Sequence, residues 1–368
     1  MARSSRRSWI TTTTRTTISD LARLLAPVLL AATPTCADTL RIATWNAGLD
    51  RSGPGLLVRD LAEGTDPQTL AVVRVLAALD ADVILLTAVD YDRGGVALEL
   101  LADRLAAAGL DYPHRFALRP NTGMQTGFDV NGNGRRGDPR DAQGFGLFSG
   151  NGGMAILSRL PLDEAGARDF SGFLWRDLPG GLGSDPPDLA AVQRLATTGF
   201  WDVPLLTEGG PLHLLAWHAT PPVFDGPEDR NGRRNHDEAA FWRLFLDGAL
   251  PMPPPEEPFV LLGDGNLDPA DGDGLRDGIA ALLSHPGVQD PAPMGGQDRA
   301  DPGQTGDPRL DSVLYPDLGG LRLDYVLPST GLEVAGAGVL WPAEADPLLP
   351  DLRAASHHFP VWIDIALP

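Results

Sequence analysis

Four large apolar residues run together at Phe259-Val-Leu-Leu262, and Gly263 ends the run. An unbroken apolar stretch this short predicts a strand covered on both faces. Strands are likewise expected at Asp82-Val-Ile-Leu-Leu-Thr87, Gly152-Gly-Met-Ala-Ile-Leu-Ser158, Leu212-His-Leu-Leu-Ala-Trp217, Arg322-Leu-Asp-Tyr-Val-Leu327 and Val361-Trp-Ile-Asp-Ile365. Thr39-Leu-Arg-Ile-Ala-Thr-Trp45 alternates and predicts a further strand. Helical patterns lie between them. Asp66-Pro67 reads as an N-cap followed by proline at the first helical position. That helix is expected to reach Leu79 with Leu70, Val73, Leu76 and Ala77 on its buried face. Val96 to Ala108 predicts a second helix stopped by Gly109, and Asp237 to Asp247 another. Strands alternating with helices argue for an α/β fold.

Polar, glycine-rich stretches interrupt this pattern. Within 120–151, Asp129-Val-Asn-Gly-Asn-Gly134 resembles the first half of a calcium loop, but Arg140 stands where a bidentate Glu is expected. The alternative is a solvated rim loop. The segment from Thr220 to His236 gathers Arg230, Arg233 and Arg234 in an otherwise acidic chain. Such a cluster suits phosphate, or else pairs with its own Asp and Glu neighbours.

Composition narrows the class. Of 368 residues, 43% are hydrophobic and 21% charged, which is globular. No long linker divides the chain, so 38–368 is expected to be one domain. Residues 1–37 read as an export signal: an arginine-rich start, an apolar run at Leu24–Ala32, and a small-x-small site at Thr35-Cys36-Ala37. The expected location is secreted or periplasmic. Cys36 is the single cysteine and would leave with the leader, which excludes disulfides and thiolate chemistry from the remainder. No later span is long and apolar enough for a membrane helix. The net charge is -20, and every basic residue is Arg. Five arginines and one aspartate in the leader leave the remainder near -24. That charge repels a polyanion, so nucleic acid is disfavoured and a small or soluble phosphoester preferred.

Polar residues punctuate the strand ends: Asn46, Asp90, His218, Asp264, Asn266, Asp324 and His358. Sites gather at such ends in open α/β sheets. At the end of the 259–262 strand, a carboxylate at Asp264 can take a proton from water or help hold a cation, and an amide at Asn266 can donate to a phosphoryl oxygen.

Order and context together resemble the endonuclease/exonuclease/phosphatase superfamily. The matching segments are Thr44-Trp-Asn46, Gly152–Pro161, His218-Ala-Thr-Pro-Pro222, Gly263-Asp-Gly-Asn266, Arg322–Leu327 and His358 before the last strand. The resemblance implies a four-layer sandwich, with two mixed β-sheets face to face and helices outside. It implies divalent-metal-assisted hydrolysis of a phosphoester, with Mg, Mn or Ca as the ion and Zn open. Asp264 would be the base or water-orienting group. Asn266 and Asn46 would bind phosphoryl oxygens or order the metal shell. Apart from the resemblance, the arginine cluster itself makes Arg230 and Arg233 candidates for the phosphate grip. Asp324 would orient His358, and His218 would be the general acid. Two departures stand out. Ala88 occupies the place of the family's metal-binding Glu, and His357 that of an Asp. Asp90, two residues on, is expected to substitute for the former, with His357 and Asn46 completing the metal set. The alternatives are a degenerate member that binds a phosphorylated ligand or a cation without turnover, and a nuclease.

Overall fold

In a computed structural model of the chain, residues 39–256 and 258–366 are described; the expected leader lies outside them. β1 (Thr39–Leu49) leads through α1 (Leu56–Glu63) and α2 (Pro67–Leu79) to β2 (Val83–Val89). α3 (Val96–Ala107), β3 (His114–Phe116) and β4 (Gly153–Ser158) follow, then β5 (Arg168–Asp169), α4 (Pro187–Ala190), β6 (Gly199–Thr207) and β7 (Gly210–His218). The second half runs α5 (Arg230–Leu246), β8 (Phe259–Asp264), α6 (Asp277–Leu283), β9 (Val313–Tyr315) and β10 (Gly319–Leu321). It ends with β11 (Asp324–Pro328), β12 (Val334–Val339), α7 (Leu349–Ala355) and β13 (Val361–Ala366).

One sheet has the order β12-β13-β1-β2-β4-β3 and the other β11-β8-β7-β6-β5. Both are mixed. β1 lies parallel to β2 and antiparallel to β13, and β8 lies parallel to β7 and antiparallel to β11. Strand β8 shows why its sequence is apolar throughout. Val260 and Leu262 enter a core shared with Ile42, Trp45 and Leu86 of the other sheet. Phe259 and Leu261 point the other way, onto Phe241, Trp242 and Phe245 of α5. Full burial of each such side chain contributes roughly 1.5–3 kcal/mol. The layers are therefore helix, sheet, sheet, helix, as the resemblance implied.

Local expectations hold to different degrees. Asp66 caps α2 as its spacing requires, accepting from Thr69 N at 2.8 Å. The buried face of α2 is instead Thr69, Ala71, Val72, Val75, Leu76 and Leu79. Its sequence is apolar nearly all round, so no single stripe stands out. Helix α5 begins at Arg230, not Asp237. Its first turns look like a polar turn, but Arg234, Asn235, Asp237 and Glu238 are buried and all find partners.

Near the end of β1 the ladder slips. Asn46 pairs with Thr87, and the next pair is Leu49 with Val89. Gly48 at φ 58 and Ala88 at φ 54 absorb the difference. This is a β-bulge, and it breaks the strict alternation of side chains beyond Thr87.

Candidate active site

Backbone register places most of the candidate residues. His218 pairs with Asp264 across β7 and β8, and Asp264 pairs with Asp324 across β8 and β11. Three chemistry-bearing side chains thus stand in a row on neighbouring strands. Gly263 makes the approach possible. It sits at φ 148, and a Cβ there would lie 1.8 Å from Trp217 O. The facing sheet supplies Asn46 from β1 and His358 just before β13.

Asn46 Nδ2 donates to Asp264 Oδ2 at 2.9 Å, and His218 Nε2 faces the same oxygen at 3.5 Å. The other Asp264 oxygen accepts from Asn266 N at 3.0 Å. His358 Nδ1 lies 2.8 Å from Asp324 Oδ2, which also accepts from Ser312 Oγ at 2.8 Å. Ser356 ties the end of β1 to the lead into β13 here, donating to Asn46 O at 2.7 Å and accepting from His358 N at 3.0 Å. Asp264, Asp324 and His358 are all buried, and each offers a ligand atom within 4.8 Å of the others'.

The two imidazoles differ in charge. Burial opposes a charge on His358, but the Asp324 and Asp264 carboxylates outweigh it and push the ring up to about 9. Burial lowers His218 in turn, and there it outweighs the pull of Asp264. His218 is therefore a neutral imidazole in the resting site. In that form it can first take up a proton from the Asp264 side before acting as the general acid the resemblance implies.

A divalent cation fits this cluster. Asp324 Oδ1 is buried and accepts no hydrogen bond, and the Asp264 carboxylate converges on the same region. Hard oxygens of this kind suit Mg, Mn or Ca, and the adjacent imidazole keeps Zn open.

Other expected participants lie elsewhere. The ideal alternation from Ala88 to Asp90 fails at the bulge, and three hydrogen bonds hold Asp90. One of its oxygens accepts from Asn151 Nδ2 and Gly152 N, both at 3.0 Å, and the other from Arg51 N at 2.9 Å. It stands outside the group able to hold an ion, as does the exposed His357, whose ring packs on Tyr315. Arg230 is spent on Asp185 and Gln193, and Arg233 on Ser184 and Asp229 O. Arg234 bonds the carbonyls of Arg194, Leu195 and Ala196. The arginines pin the 182–196 segment and do not reach into the cluster. Asn266 is half-committed, since its Nδ2 donates to Ala219 O at 2.9 Å. In the calcium-like loop, Asp129 accepts from Asn133 N and Gly134 N, while Asn131 and Asn133 donate to Asp138. The loop closes on itself.

Sequence reasoning missed several supports. Asn235 donates to Thr220 O at 2.7 Å and Gly265 O at 2.9 Å, so α5 clamps the turns after β7 and β8. Glu238, one helical turn on, accepts from Thr220 N at 2.7 Å and Thr197 N at 2.6 Å. Ser312 and Tyr315 come from the β9–β10 hairpin and reach the Asp324–His358 pair. The i, i+3 spacing of Asn235 and Glu238 was the one signal available for any of these.

Fold and site together define a strand-end cluster of carboxylates and imidazoles inside a double-sheet sandwich. The chain belongs to the endonuclease/exonuclease/phosphatase family, whose model matches residues 43–358. An endonuclease/exonuclease/phosphatase from Beutenbergia cavernae DSM 12333 shares the fold with a TM-score of 0.54 at 20% identity, covering 89% of this chain and 72% of that one. A family protein from Leptotrichia buccalis C-1013-b gives a TM-score of 0.49 at 16% identity, covering 89% and 100%. Sphingomyelinase C from Streptomyces griseocarneus gives 0.47 at 18%, covering 89% and 99%. Among curated proteins, none matches the chain by sequence.

Proposed function

We propose that this protein is an exported, divalent-metal-dependent phosphoester hydrolase acting on a small or soluble phosphate ester. The observation that carries the reading is the meeting of the Asp324–His358 pair with the Asn46–Asp264 pair in one buried cluster. The His358 imidazolium, held in one orientation by Asp324, would bond the phosphoryl oxygen on which charge builds. Asp264, with one oxygen fixed by Asn266 N and the other shared by Asn46, would orient the attacking water and accept its proton. His218 borders that oxygen and would pass the proton to the departing ester oxygen as the P–O bond breaks, acting as the general acid. Asp264 and the free Oδ1 of Asp324 would hold the cation. When bound, the ion would neutralise the phosphate and polarise its P–O bonds. The depth of the cluster favours a slender ester, and the acidic chain disfavours a nucleic-acid polymer.

Purified protein with added Mg²⁺ or Mn²⁺ should release product from a panel of chromogenic and natural phosphate monoesters and diesters. No turnover on the panel with Mg, Mn, Ca or Zn overturns the reading. The second reading is a binder of phosphorylated ligands without turnover. Ala88 carries no carboxylate and Asp90 is committed elsewhere, which favours it. Phosphate binding without turnover, together with activity gained in Ala88→Glu, would decide for it.

A further inference from the structure

Building on the phosphoesterase reading, we propose that Tyr315 is a catalytic residue whose hydroxyl acts with His358 to grip one non-bridging phosphoryl oxygen. Tyr315 closes β9, and its hydroxyl lies 3.3 Å from His358 Nε2. The two rings stand nearly perpendicular, at 87°. Asp324 already occupies the other ring nitrogen. Nε2 is thus the one position through which His358 can meet a substrate, and the phenol is stationed beside it. Two donors at this spacing can share a single oxygen, each making a bond of about 2.8 Å.

The hydroxyl is not needed to dock the hairpin. Leu314 N donates to His357 O, and Phe359 N to Ser312 O, so the backbone already fixes β9 against the His358 segment. His358 is the one hydrogen-bond partner of the Tyr315 hydroxyl among the described residues. Burial and then the Asp264 and Asp324 carboxylates hold the phenol well above its ordinary range. It therefore keeps its proton and remains a donor. An uncharged donor here adds stabilisation of a developing oxyanion without a second cation beside the imidazolium. Ser312, three residues earlier, bonds Asp324, so one short hairpin serves both ends of the Asp324–His358 pair.

The test compares the full chain with Tyr315→Phe, using Mn²⁺ and a chromogenic phosphodiester. The variant keeps the ring and should melt with the unaltered protein. Its kcat is expected to fall about 10²-fold, the scale of one oxyanion donor. A loss of about tenfold or more upholds the proposal, and a smaller one overturns it. If the unaltered protein turns over no ester, the phosphoesterase reading falls by itself. The grip is then judged by calorimetric titration with inorganic phosphate alone. Binding weakened about tenfold in Tyr315→Phe upholds it. Equal binding, or no binding by the unaltered protein, overturns it.

Discussion

Asp324 and His358 lie 34 positions apart in the chain, yet Oδ2 and Nδ1 meet at 2.8 Å with both side chains buried. Asp324 enters from β11 in one sheet and His358 from the lead into β13 in the other. On the proposed mechanism the carboxylate sets both the charge and the direction of the ring. Asp324→Asn should therefore lower kcat by about 10²–10⁴-fold while leaving the fold intact. Steady-state rates with a circular dichroism control check this.

The same pair predicts a pH dependence of stability. The folded His358 value, about 9, lies above the unfolded 6.5. Its contribution is complete below 6.5 and is lost as pH rises through 9. Denaturant melts of chelator-treated protein and of His358→Ala, at pH 6, 7.5 and 9.5, isolate the effect as the difference between the two. A difference independent of pH would show that the ring is neutral in the folded state.

Arg230 offers a contrast between a structural and a phosphate-binding role. It pairs with Asp185 through two bonds of 3.0 and 2.9 Å and reaches Gln193. Arg230→Ala should destabilise by about 1–3 kcal/mol, since it leaves Asp185 unpaired. KM should change by less than about threefold. A large rise in KM with unchanged stability would restore the arginine to the substrate.

Ala88→Glu tests the missing ligand. Ala88 already sits at φ 54, so the larger side chain inherits an existing backbone and adds only its carboxylate. Mn²⁺ binding should tighten by about tenfold or more, read by calorimetry. No change would mean that the bulge aims position 88 away from the ion.

Much of this molecule was legible in its sequence. The unbroken apolar runs at 259–262 and 82–87 marked strands buried on both faces, because helices and a second sheet leave neither face to water. The polar residues ending β7, β8 and the start of β11 became part of the cluster, because His218, Asp264 and Asp324 line up where those strands pair in register. Other features were hidden by composition. β6 carries Asp202 and Pro204 within it and ends Leu205-Leu206-Thr207, so neither alternation nor an apolar run is clean. β12 reads Val-Ala-Gly-Ala-Gly-Val, and its glycines resemble a loop. The start of α5 was hidden because its polar residues look solvated until β7 and β8 supply partners. The direction of Asp90 was not legible because two-residue alternation assumes an unbroken ladder, and nothing in the sequence around Ala88 announces a bulge.

The cluster straddles a seam. Asn46 and His358 belong to one sheet, and His218, Asp264 and Asp324 to the other. Its geometry is fixed by the packing of Trp45, Leu86, Leu262 and Val326 between them. No single loop can fray and leave half a site behind. Loss of turnover on heating should accordingly coincide with collapse of the whole interior.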